Sequence, residues 1–267
     1  MKKYKNLLVI LLCFVLHFYF DDMYFSKVRA FLDTFILNKG ISHNLSYLFF
    51  GIPLFIGALI VDKGKNIFKN LGLSQSIIKG LTFSFLCTAP MFIGFAFFFS
   101  VNDNISSNEF LISGIAAAFF EELYFRAYLF GLTFKFTRLG FIPAILAGAL
   151  LFATIHLYQS QDVATLVGIF LTTFIGAIIF AWVYVEWNFN LWIPIGLHFF
   201  MNLSWMLFAV SDNALGNTYA NVFRIVTIIF IFTLTILYKK LKGQPFYITK
   251  KTVWMQNRRA NYLNTHC

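Results

Sequence analysis

Six polar side chains stand where apolar ones would be expected. Glu121, Glu122 and Arg126 lie in the oily stretch FFEELYFRAYLF, His156 closes LLFATIH, and His198 and Asn202 share HFFMN. An ionisable group at the centre of a bilayer costs at least ~2.5–3.5 kcal/mol on insertion scales, so two adjacent carboxylates there are a functional signal by default. Glu122 and Arg126 are four residues apart. On a helix they share a face, with the acid N-terminal to the base, and can neutralise each other. Glu121 lies ~100° further round an α-helix and must face something else. His198 and Asn202, also four apart, share a face of their own helix. Phe152, four before His156, could wall its ring.

Each element has a plain structural reading as interhelical glue. Together they make a hydrolytic set. A carboxylate paired with an imidazole can deprotonate water. A second imidazole and a carboxamide can donate hydrogen bonds to the oxyanion formed when that water attacks an amide carbonyl. No Ser or Cys lies in an obvious nucleophile context, so attack by activated water is the simpler chemistry.

The elements that must carry these groups are membrane helices. The 267 residues are 59% hydrophobic and 12% charged, with a mean hydropathy of +0.74. Soluble chains carry about a quarter charged residues. An amphipathic helical stretch at 24–38 is expected along the interface. Apolar segments follow at roughly 45–61, 78–101, 109–134, 141–158, 163–186, 190–210 and 220–238. With an uncleaved apolar segment at the N-terminus, they predict an all-α, polytopic transmembrane bundle of about eight membrane helices. The chain is expected to form a single integral membrane domain over 1–267. Residues 247–267 are expected to form a basic cytoplasmic tail.

The net charge of +10 does not imply a nucleic-acid partner. The basic residues fall in short clusters between apolar runs: Lys2, Lys3 and Lys5; Lys63, Lys65 and Lys69; Lys135 and Arg138; and Lys239 onward. That bias places both termini in the cytoplasm, beside anionic lipid. Richness in Phe and Lys suggests a bacterial cell membrane. Cys13, Cys87 and Cys267 form neither a CxxC pair nor an even disulfide framework.

The sequences EELYFR (121–126), FATIH (152–156) and HFFMN (198–202) resemble the EExxxR, FxxxH and HxxxN motifs of the CPBP family. That family comprises CAAX proteases of the Rce1 type and bacteriocin-processing or Abi proteins. The resemblance covers roughly 109–210. It implies an intramembrane endopeptidase acting on a membrane-associated peptide or small protein. Glu121 would be the general base, with His156 orienting the water, His198 and Asn202 forming the oxyanion hole, and Glu122 and Arg126 in support. Ala127 departs from the family's common Gly, at a packing position.

The resemblance implies no cofactor. Glu121, His156 and His198 could alternatively supply a His₂Glu zinc set, although the chain has no HExxH. Two further readings stay open. A non-catalytic bacteriocin self-immunity or scaffold protein would keep its function without Glu121. An ion-coupled transporter could also use intramembrane Glu and His. The substrate, the side of access and the oligomeric state are not written in the sequence.

Overall fold

The computed structural model describes residues 2–255. Its long elements are all helical: α1 (Lys2–Asp33), α2 (Lys39–Phe50), α3 (Ile52–Asp62), α4 (Ile77–Phe98), a central helix (Phe110–Leu132), α5 (Phe141–Ile155), α6 (Val163–Glu186), α7 (Trp192–Leu207) and α8 (Thr218–Leu241). Among the described residues, six apolar helical segments are long enough to cross a membrane: Tyr4–Asp33, Lys39–Asp62 (α2 followed by α3), Ile77–Phe98, Phe141–Gln159, Val163–Glu186 and Thr218–Leu241. The charged central helix and the 16-residue α7 accompany them, in keeping with a bundle of about eight. The outer helices turn large apolar side chains outward, among them Leu8, Val15, Leu86, Phe97, Leu171 and Ile229. In water such faces would aggregate, whereas hydrocarbon solvates them.

The amphipathic stretch after residue 24 is not a separate interfacial segment. It continues α1 in one helix of 32 residues, about 48 Å long at 1.5 Å per residue. Phe25 anchors this extension against His43 and Tyr47 of α2, with ring centroids 5.0 Å away in each case.

The apolar run expected at 45–61 is broken in two. Pro53 lacks the N–H that would continue the α2 ladder, and α3 starts afresh beside it. Gly51, at the break, lies against the Tyr124 hydroxyl. That hydroxyl donates to the Tyr47 carbonyl over 2.6 Å.

The central helix bonds in the wider i→i+5 pattern of a π-helix along its length. Such helices are uncommon and tend to occur at functional sites. It packs against α1, α2, α3, α5, α6 and α7. From Glu122 to Leu132 every residue is buried, so this half of the helix is enclosed by protein rather than by lipid.

The chain after α8 folds back instead of trailing away. Gly140, Phe141 and Ile142, whose amides have no partner within the start of α5, donate to the carbonyls of Trp254, Thr252 and Val253. Glu186, buried at the end of α6, accepts from Tyr247 N and Ile248 N and pairs with Lys239 at 2.7 Å. The stretch 247–255 of the expected basic tail is therefore docked; its remainder lies outside the described residues.

Gly51→Val drives a branched side chain into the Tyr124 hydroxyl. It should cost about 1–3 kcal/mol, as overpacking does, and appear as a lower unfolding temperature in detergent. Lys239→Met leaves Glu186 buried without its cation. It should destabilise the fold by about 3–5 kcal/mol and make the tail after Gly243 more susceptible to limited proteolysis.

Candidate active site

The central helix, α5 and α7 bring their polar groups to one cavity of about 820 Å³. Glu121, Arg126, Phe152, His156, His198 and Asn202 all line it. Glu122 does not; it lies behind the wall, fully buried.

Glu122 joins two helices. Its Oε2 lies 3.1 Å from Arg126 Nε on the same helix. Its Oε1 accepts from His198 Nδ1 on α7 over 2.8 Å. The contact with Arg126 is an ion pair without hydrogen-bond alignment, and Arg126 Nη1 also has no acceptor among the described residues. The wider turn of the helix keeps positions 122 and 126 on one face. The guanidinium is 2% exposed and lies over the Phe152 ring, 4.1 Å from its centroid, with Phe180 at 5.7 Å. A cation removed from water is held here by one carboxylate and the faces of two rings.

Phe152 ties this pair to His156. Its ring meets the His156 imidazole at 4.5 Å and Phe125 edge-on at 5.2 Å. His156 Nδ1 bonds the Phe152 carbonyl over 2.6 Å. A carbonyl can only accept, so Nδ1 carries the proton, and the neutral ring keeps its Nε2 lone pair free. His156 lies at the end of α5, one residue past its last helical position.

The other imidazole is held differently. With Nδ1 of His198 donating to Glu122, Nε2 offers a lone pair when the ring is neutral and a proton when it is an imidazolium. Glu122 is placed to balance the second form. Asn202, one turn further along α7, donates from Nδ2 to the Ser113 carbonyl over 2.8 Å. That bond fixes the carboxamide and leaves a second N–H.

Glu121 has no such partner. Its Oε2 is buried and takes no hydrogen bond from the described residues, although it borders the cavity. Among the described residues no three of His, Cys, Asp and Glu converge as a metal-binding group. Glu121, His156 and His198 share the cavity without forming a ligand cluster.

Some of the cavity wall was not marked by the motifs. Ser113 contributes only a backbone carbonyl, which no side-chain pattern announces. His43 and Tyr47 come from α2, where the sequence shows only an apolar segment beginning near residue 45. Arg224 of α8 also borders the cavity and closes the 211–217 loop by donating to the Ala214 and Leu215 carbonyls.

Residues 103–204 match the family model described as type II CAAX prenyl endopeptidase Rce1-like. No curated protein and no solved structure matches the chain. The matched segment holds all three motifs. This segment is thus similar to an Rce1-like CAAX-type protease domain, and it lies within an integral membrane bundle.

Arg126→Met strips the buried Glu122 of its only guanidinium while keeping similar bulk. A loss of about 3–5 kcal/mol is expected, read as a lower unfolding temperature of the purified protein, with a larger loss than for Arg126→Lys.

Proposed function

We propose that the chain is an intramembrane endopeptidase in which Glu121, aided by His156, activates water against a peptide bond of a membrane-associated peptide or small protein. The observation that carries this reading is the cavity itself: motif side chains from three helices border it, and the Glu121 carboxylate has a buried oxygen with no hydrogen-bond partner among the described residues.

In the proposed step Glu121 takes a proton from water, while the free Nε2 of His156 orients that water by accepting its second hydrogen. The hydroxide oxygen bonds to the carbonyl carbon, and the carbonyl π electrons move to oxygen. The second N–H of Asn202 and the Nε2–H of a protonated His198 meet that oxyanion. As the intermediate collapses, the C–N bond breaks and Glu121 returns its proton to the departing amine.

Glu122 and Arg126 support this chemistry by position: the carboxylate sets the tautomer and orientation of His198, and Arg126 pairs with that carboxylate at 3.1 Å. The reading uses no metal. Both termini face the cytoplasm in it, as the Lys and Arg distribution favours.

Peptide profiling by mass spectrometry tests the function. Deletion cells would carry wild-type protein, Glu121→Gln or empty vector, at matched membrane abundance. A product should appear with wild type only. Glu121→Gln matching wild type, with empty vector differing, would instead favour a binding or scaffold role. With the product known, cleavage by purified protein should persist in a chelator such as EDTA and fall at least 100-fold in Glu121→Gln, within the range for loss of a general base.

A further inference from the structure

One wall of the cavity is unaccounted for by the three motifs, and it lies outside residues 103–204. α2 brings His43 and Tyr47 to the cavity that Glu121 borders. Their spacing of four puts both on one face of α2.

The Tyr47 ring is tightly placed. It stacks on Phe120 with centroids 5.1 Å apart and planes 14° apart, and Phe25 and His43 each lie 5.0 Å away. Phe120 immediately precedes Glu121, so the stack fixes the phenol relative to the carboxylate.

Three polar atoms in this region are buried and take no hydrogen bond from the described residues: Glu121 Oε2, His43 Nδ1 and Asp21 Oδ1. Buried polar atoms without protein partners are rare, and ordered water meets most of them. Asp21 and His43 come from two different helices, and the His43 ring lies 5.0 Å from that of Tyr47. Aromatic packing alone explains the Tyr47 ring. It does not explain why a phenol and an imidazole border the same cavity as Glu121, with Glu121 Oε2 and His43 Nδ1 both unmatched among the described residues.

We propose that Tyr47 is a positioning residue for Glu121: its hydroxyl, with His43 beyond it, binds ordered water that aims the Glu121 carboxylate. The chain recruits this wall from α2, before the segment shared with the Rce1-like family. The proposal rests on the peptidase reading. Tyr47 holds the base at its working angle and contacts no part of the peptide.

The test compares purified full-length wild type, Tyr47→Phe, His43→Leu and Glu121→Gln on an internally quenched peptide spanning the cleavage site found by profiling. Tyr47→Phe keeps the ring and its stack and removes one oxygen. Its kcat should fall about 10- to 100-fold, as for other groups that orient a reacting residue, with KM within twofold of wild type and unfolding temperature unchanged. His43→Leu should lower kcat in the same direction by a smaller factor, and it carries the test if Tyr47→Phe does not fold. An unchanged kcat in the folded variants overturns the proposal, as does a rise in KM alone, which would make Tyr47 a substrate contact. Wild type and Glu121→Gln cleaving equally would instead sink the peptidase reading itself.

Discussion

The bond from Glu122 to His198 is the constraint on which the rest of the site depends. It reaches from the central helix to α7 over 2.8 Å, in a place closed to water. A carboxylate so buried is tolerated only with partners. Arg126 supplies the charge and His198 the hydrogen bond. Because both come at fixed helical positions, satisfying Glu122 also sets the rotation of the two helices. Glu121, one residue earlier, is thereby turned to the cavity, and Asn202, one turn beyond His198, is brought to Ser113. Two adjacent acids thus divide the labour: one holds the architecture, and the other has an oxygen that takes no hydrogen bond from the described residues.

Phe152 extends that constraint to a third helix. Its ring lies 4.1 Å from the Arg126 guanidinium and 4.5 Å from the His156 imidazole. Moving α5 would uncover the cation and displace the imidazole together. The other end of α5 is held by the returning chain, whose carbonyls receive its first free amides. Glu186 and Lys239 fasten that return by a second buried ion pair. In both places a charge withdrawn from water does what apolar contact cannot do in a lipid bilayer. Hydrocarbon competes equally well for any leucine, but it offers nothing to a carboxylate.

Much of the fold was legible along the chain, because lipid selects long apolar helices and polar flanks mark their ends. Legibility ended where helices meet. Nothing in YFSKVRAFLD says whether it lies along an interface or prolongs α1; the packing of Phe25 on α2 decides that. Pro53 offered a local reason for a break, but the tight approach of Tyr124 to Gly51 involves residues more than seventy positions apart. The widened turn of the central helix has no signature in FLISGIAAAFFEELYFRAYLFGL that helical periodicity would reveal.

The sequence by itself determined which chemistry was available. The spacing of four within EELYFR and HFFMN commits Glu122 to Arg126 and puts His198 beside Asn202, because helix geometry is local. Only the tertiary structure decided which groups meet. It joined His198 to Glu122, left Glu121 Oε2 unpaired, and added His43 and Tyr47 from a helix without any motif. The reason is physical: a hydrogen bond within one helix is fixed by residue number, whereas one between helices depends on how whole faces pack, and that is a property of the assembled bundle.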